Sequence, residues 1–197
     1  RRGLLFMGED QAVHSSFSLL LALHYLGLQG IAAEPDAVNP DHMRLRGTTF
    51  VPLKSDDGGY VDIDAAGYQF LIDFKGRPFE PYSLEEVLQG RMPEGALKGK
   101  IVIIGTTAES LKDFFFTPLC KDRSSEALVY GVEMHALVAS QLLRAALQGE
   151  RPIAPVREGY EWAWIWIWGL AGALLGLRRQ SLLKFALSLS GGTALLI

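Results

Sequence analysis

The last fifth of the chain is almost continuously apolar, in contrast to the mixed pattern before it. The sixteen residues from Trp162 to Leu177 carry no charge, and as a helix they would extend about 24 Å. A hydrocarbon core is roughly 30 Å thick, so Tyr160 and the first tryptophans are expected at the headgroups. The pattern predicts a transmembrane helix over residues 160–177. A half-buried strand is the alternative, because the tryptophans alternate with Ala and Ile.

A short basic segment interrupts this apolar run. Residues 178–181 include Arg178 and Arg179, and apolar residues resume over 182–197. By the positive-inside rule, the pattern predicts a cytoplasmic turn at 178–181 and the start of a second transmembrane helix at 182–197. Residues 1–158 would then lie outside the cell or in the periplasm, on a multi-pass membrane protein. Two core helices of a larger soluble protein are the alternative interpretation.

Capping residues and apolar runs predict three helices in residues 1–158. Ser15-Ser16 offers an N-cap to a leucine-rich run that Gly27 or Gly30 would end. Ser83 and Glu86 have the spacing of a capping box. The predicted helices cover residues 17–26, 83–89 and 131–147, and Gly149 would end the last of them.

The strongest strand signal is a run of four β-branched residues, 101–104, between glycines. Such a run is typical of a strand that is buried on both faces of an α/β sheet. The predicted fold class is therefore α/β: a mixed sheet with a buried central strand and flanking helices, followed by transmembrane helices. Further strands are predicted at residues 48–53, 60–63 and 70–74, the first two forming a hairpin around a turn at 55–59.

Charge and composition narrow the classes of function. The formal net charge is −3, and without a basic excess no nucleic-acid partner is expected. A net charge of +2 in residues 160–197 leaves −5 in the body before them. The single cysteine excludes an intramolecular disulfide and multi-cysteine metal sites. The chain has neither a P-loop nor a G-x-G-x-x-G motif, which argues against a nucleotide site. No cofactor is expected.

Candidate ligand-binding residues cluster around the predicted central strand. Thr106 and Thr107 follow its carboxyl end, where open α/β sheets bind ligands, and Asp113 and His135 could meet there. Glu133 lies in the first turn of the third helix and suits its positive end. For Asp113, a structural anchor that bonds to backbone is the alternative. A cell-surface enzyme acting through Thr107, Asp113 and His135 is a second hypothesis.

Several motifs occur in a defined order along the chain. They are F-K-G-x-P at 74–78, Y-S-x-x-x-V-L at 82–88, G-K-I-V-I-I-G-T-T-A at 99–108, D-x-x-x-T-P-L at 113–119 and G-V-E-M-H-A at 131–136. The Trp-rich tail follows them. This ordered set resembles the CHASE-2 extracellular sensor domain.

The resemblance implies a receptor module rather than an enzyme in this chain. Residues 1–158 would be the sensor domain without the family's N-terminal portion, followed by the first of three transmembrane helices. A homodimer in the lipid bilayer would detect an unknown extracytoplasmic small ligand. The effector would lie in the cytoplasm beyond this chain. It would be an adenylate or guanylate cyclase, with a histidine kinase, a Ser/Thr kinase or a diguanylate cyclase as alternatives.

Overall fold

The computed structural model describes residues 1–9, 12–75, 79–117, 128–156 and 158–177. It divides the chain into two compact units, Arg1–Ala154 and Pro155–Ile197. Within the described residues, nine short strands form small antiparallel sheets and accompany four α-helices. The strands are β1 (Arg2–Leu4), β2 (Phe6–Glu9), β3 (Ala12–Ser15), β4 (Ala33–Pro35), β5 (Met43–Leu45), β6 (Thr48–Phe50), β7 (Gln69–Leu71), β8 (Phe114–Phe116) and β9 (Leu128–Tyr130).

The described strands pair in four separate sheets. β1 pairs with β7, β2 with β3, and β8 with β9, while β4, β5 and β6 form a three-stranded sheet in that order. The β1–β7 ladder continues beyond the strands, because Leu5 N–H donates to Tyr68 O and Tyr68 N–H donates to Phe6 O. The chain therefore has the predicted mixture of helices and strands, but in small antiparallel sheets.

The described α-helices are α1 (Phe17–Gly27), α2 (Leu84–Leu88), α3 (Gly131–Gln148) and α4 (Glu158–Leu177). The first three begin and end within one residue of the predicted bounds. Ser16 Oγ accepts the Leu19 N–H at 3.3 Å, and Ser83 forms a capping box with Glu86. Gly149 ends α3 in the left-handed conformation, with φ of 69°, which glycine adopts at little cost. The three helices predicted in the body are confirmed.

The core of the first unit lies between helices α1 and α3 and the strands that cover them. The two helices pack against each other, and burial of their apolar faces is the main favourable term in folding. The largest fully buried side chains are Phe50, Leu5, Leu26, Leu45, Leu137, Leu142 and Val129.

Two polar side chains fix α3 to the neighbouring strands. Gln141, which is 4% exposed, accepts the Asp73 N–H at 2.9 Å and donates to Leu71 O at 3.1 Å. Thr48 Oγ donates to Ala145 O at 2.8 Å. These bonds satisfy backbone groups near the end of β7 and in the last turn of α3, where strand pairing and helical hydrogen bonds do not supply a partner.

A cluster of charged side chains ties the segment after β7 to the end of α3. Arg144 donates to Glu150 at 2.9 Å, and Lys75 also donates to Glu150. Asp73 lies within ion-pair distance of both cations. Hydrogen bonds from Lys75 and Arg144 hold the pKa of Glu150 below its ordinary value, and the bond to Glu150 raises the pKa of Lys75.

The predicted central strand is wrong. Residues 101–104 are not a strand and form no backbone hydrogen bonds within the described residues. Val102 is 49% exposed and Ile104 is 93% exposed. A β-branched run favours a strand only where another strand pairs with it and covers its side chains, and none of the described strands does so.

The predicted hairpin of residues 48–53 and 60–63 is also wrong. Residues 48–50 form β6, but β6 pairs with β5 in the register Met43 to Phe50. Residues 60–63 are not a strand. The expected turn between them exists and is closed by Asp57, whose carboxylate accepts the Lys54 N–H at 2.7 Å. The sequence therefore predicts the turn correctly, but the turn does not connect two strands of a hairpin.

Helix α4 covers the whole of the predicted transmembrane segment at residues 160–177. Among the helices of the described residues, none combines the length and the mean hydropathy that crossing a bilayer requires. A membrane-spanning α4 is therefore not supported. The predicted turn at 178–181 and the second membrane helix at 182–197 lie outside the described residues.

Candidate functional site

A cavity of about 280 Å³ opens at the start of α3 and contains two of the predicted site residues. Asp113 enters it from the residue before β8, and His135 from the second turn of α3. The β8–β9 pairing brings them together, because β9 leads directly into α3. The lining residues are Arg1, Arg2, Asp113, Phe115, Gly131, Met134 and His135.

The Asp113 carboxylate occupies the space that a side chain at position 131 would need. A Cβ built on Gly131 would collide with both carboxylate oxygens. The Gly131 N–H also donates to Asp113 O at 3.1 Å. Glycine thus permits a carboxylate to lie at the N-terminus of α3, where the helix dipole favours negative charge.

His135 is held by contacts from α1. Its Nδ1 lies 2.9 Å from Ser18 Oγ, and the Phe17 ring contacts it edge-on with centroids 5.2 Å apart. The other ring nitrogen, Nε2, has no hydrogen-bond partner among the described residues. The imidazole is therefore oriented by α1 and retains one nitrogen for a molecule in the cavity.

Two arginines that are not among the predicted site residues, Arg1 and Arg2, complete the cavity. The Arg1 guanidinium lies over the Phe115 ring, 5.6 Å from its centroid. Both Arg1 and Arg2 also line a second cleft of about 530 Å³. In the sequence, these two arginines are recognisable as an adjacent pair in an acidic body. Their position in the sequence does not show which strand they lie beside in the fold.

The other predicted residues lie outside this cavity. Glu133 accepts the Tyr130 N–H at 3.0 Å and so acts as a cap of α3. Thr106 and Thr107 are exposed, and Thr106 Oγ accepts the Ala108 N–H at 3.2 Å. Their loop passes close to α3, because a Cβ on Gly105 would lie 2.6 Å from Val132. Ligand binding by these residues stays a prediction, as it does for Asp113 and His135.

The side chains that line the cavity include hydrogen-bond donors and acceptors of both charges. Guanidinium groups donate to anionic oxygens, and the carboxylate and imidazole can accept from hydroxyl or ammonium groups. In the part of the chain that the structure describes, no group of three or more His, Cys, Asp or Glu side chains could hold a metal ion.

Comparison with known proteins identifies the family of the chain. No curated protein and no solved structure matches it. The model of the CHASE2 domain family matches residues 1–174, which include the whole first unit and most of α4. That match covers far more than half of the chain and confirms the resemblance seen in the motifs. The chain therefore belongs to the CHASE2 domain family, whose members are extracellular sensory domains of signalling proteins.

Proposed function

We propose that residues 1–158 are the extracytoplasmic sensory input module of a bacterial membrane receptor. The module would relay a cue to a cytoplasmic effector beyond this chain, an adenylate or guanylate cyclase. The observation that carries the proposal is the family match over residues 1–174. The acidic body and most of the apolar helix fall within that match, which favours a sensory domain connected to a membrane segment.

Helix α4 is the element proposed to associate with the lipid bilayer. Between Glu161 and Leu177 it carries no charged residue. Tryptophan is the residue type that membrane–water interfaces favour. Seven of its large apolar side chains are more than half exposed: Trp162, Trp164, Ile165, Trp166, Ile167, Leu170 and Leu174. Because an apolar surface of this extent is unfavourable in water, lipid is the partner that fits it.

A cue bound in the Asp113 and His135 cavity would act through the packing of α1 against α3. The Ser18–His135 contact joins the two helices at the cavity, and α3 continues along the chain toward α4. Such a relay requires the ligand to bind two arrangements of the helices with different affinity. We further propose a homodimer, for which the Gly172 and Gly176 spacing on α4 would permit close approach of two copies.

A cell-surface enzyme is the competing function, favoured by the presence of Asp113 and His135 in one cavity. The sensory character of the family weighs against it. Asp113→Asn and His135→Gln distinguish the two, since loss of turnover would indicate an enzyme and altered effector output without turnover would indicate a sensor.

Tryptophan fluorescence tests the proposed association of α4 with lipid. The protein has four tryptophans, and all of them lie in α4, so the emission reports on this helix alone. When the protein is reconstituted into vesicles, we expect phospholipids with brominated acyl chains to quench most of the emission. Iodide in the aqueous phase should quench much less than it does without vesicles.

A matched pair of variants controls this measurement. Ile165→Glu together with Leu170→Glu should weaken quenching by the brominated lipids, because a charge in the bilayer costs about 2.5–3.5 kcal/mol. Leu84→Glu together with Leu88→Glu alters two exposed leucines of α2 in the first unit and should leave quenching unchanged. Equal iodide quenching with and without vesicles would contradict lipid association of α4.

A further inference from the structure

The second cleft of the first unit lies beside the β1–β7 ladder. It shares Arg1 and Arg2 with the Asp113 cavity but none of the other residues that line that cavity. Its volume of about 530 Å³ is within the usual range of sites for small organic molecules. It is open to solvent and combines charged, aromatic and aliphatic side chains. The lining residues are Arg1, Arg2, Gly3, Leu4, Met7, Tyr60, Asp64, Ala66 and Gln69.

The Arg2 guanidinium is anchored along one edge only. Nη1 donates to Asp64 O at 2.8 Å and to Gln69 Oε1 at 3.0 Å, which uses both of its hydrogens. The guanidinium also lies over the Tyr60 ring, 5.6 Å from the centroid. Gln69 is itself fixed, because its amide donates to Asp64 O and Ala66 O.

The opposite edge of the same guanidinium has no acceptor among the described residues. Nε and Nη2 form the planar pair of donors that binds both oxygens of a carboxylate. Arg2 also forms no ion pair with any described carboxylate, so its charge is not neutralised by the protein. An anchored guanidinium with a free bidentate edge is suited to an oxyanion from solution.

Asp64 supplies the complementary charge in the same cleft. Its Oδ1 accepts the Ala66 N–H at 2.8 Å, which fixes the carboxylate, whereas Oδ2 has no partner among the described residues. A carboxylate here disfavours multiply charged anions and favours a ligand with a cationic group near its anionic one. Leu4 and Met7, which are 39% and 38% exposed, offer an apolar surface beside these two charges.

We propose that this cleft binds a free amino acid. The Arg2 guanidinium would take the α-carboxylate through Nε and Nη2, and Asp64 would accept the α-ammonium group. Tyr60, Leu4 and Met7 would contact the side chain of the ligand. The inference concerns binding by the first unit alone, so it holds whether or not the receptor proposal above is correct.

Isothermal titration calorimetry tests this site. Each proteinogenic L-amino acid is titrated in turn into the whole chain in detergent. We expect saturable binding of at least one of them. The decarboxylated and deaminated analogues of the best ligand should each bind about tenfold more weakly or worse, since each loses a hydrogen-bonded charge pair.

Substitutions of Arg2 and Asp64 test the proposed contacts with the carboxylate and the ammonium group of the ligand. Arg2→Lys, which keeps the charge but loses the planar fork, should weaken binding of the amino acid about tenfold or more. Asp64→Asn should weaken binding of the amino acid but not of its deaminated analogue. Arg91→Lys and Asp41→Asn, at exposed positions outside the cleft, should change neither affinity.

The thermal midpoint of each variant distinguishes lost binding from lost folding. Arg2→Lys and Asp64→Asn are expected to unfold within a few degrees of the parent chain, because their side chains are exposed. The proposal is overturned if no amino acid binds saturably, or if folded Arg2→Lys and Asp64→Asn bind as tightly as the parent.

Discussion

Gln141→Leu is expected to lower the free energy of unfolding by about 2–5 kcal/mol, measured by urea denaturation. The wild-type side chain, buried on α3, accepts the Asp73 N–H and donates to Leu71 O. Leucine fills a similar volume but leaves both of these part-buried backbone groups without their side-chain partner. The loss is therefore due to unsatisfied polar groups and not to a cavity.

Gln148→Leu is the matched control for this substitution. Gln148 lies at the exposed end of the same helix, and the change should alter the free energy of unfolding by less than about 0.5 kcal/mol. If both variants were equally stable, Gln141 would not join α3 to the segment after β7 as the structure indicates.

Tyr68→Phe is expected to cost about 2–4 kcal/mol, again measured from denaturant unfolding. The Tyr68 hydroxyl accepts the Met43 N–H and donates to Phe50 O, both at 2.6 Å. Met43 and Phe50 are register partners at the end of the β5–β6 pair, so the hydroxyl bridges two backbone groups. Burial raises the pKa of Tyr68, which keeps the hydroxyl protonated as a donor.

Tyr82→Phe provides the comparison for Tyr68. The Tyr82 hydroxyl donates to Glu80 at 3.3 Å in an exposed position, and no backbone group depends on it. Its removal should have an effect within about 0.5 kcal/mol. If Tyr68→Phe were as stable as Tyr82→Phe, the hydrogen bonds of the Tyr68 hydroxyl to Met43 and Phe50 would not stabilise the end of the β5–β6 pair.

Local signals in the sequence predict the helices well. Ser16, Ser83 and Gly149 act on groups within one turn of themselves, so their effect is readable from neighbouring residues. The strands behave differently, because pairing depends on distant segments. Residues 101–104 have the composition of a buried strand, yet no described strand pairs with them, and β6 pairs with β5 instead of residues 60–63.

The candidate site is predictable only in part for the same reason. Asp113 directly precedes β8 and His135 lies in the second turn of α3, so the pairing of β8 with β9 directly before α3 brings the two residues together. The involvement of Arg1 and Ser18 could not be inferred, because it depends on packing across more than a hundred residues. Glu133 lies in the expected first turn, but its carboxylate caps the helix.

Cysteine labelling of the receptor in its native membrane tests the location of the sensor domain most directly. Asp41 is exposed in the first unit, so Asp41→Cys in a Cys120→Ser background provides a single reactive thiol. Gln180→Cys in the same background serves as the control, because it lies in the predicted cytoplasmic turn. In intact spheroplasts, a membrane-impermeant maleimide should label Asp41→Cys and should reach Gln180→Cys only after permeabilisation. Labelling of Asp41→Cys only after permeabilisation would contradict an extracytoplasmic sensor.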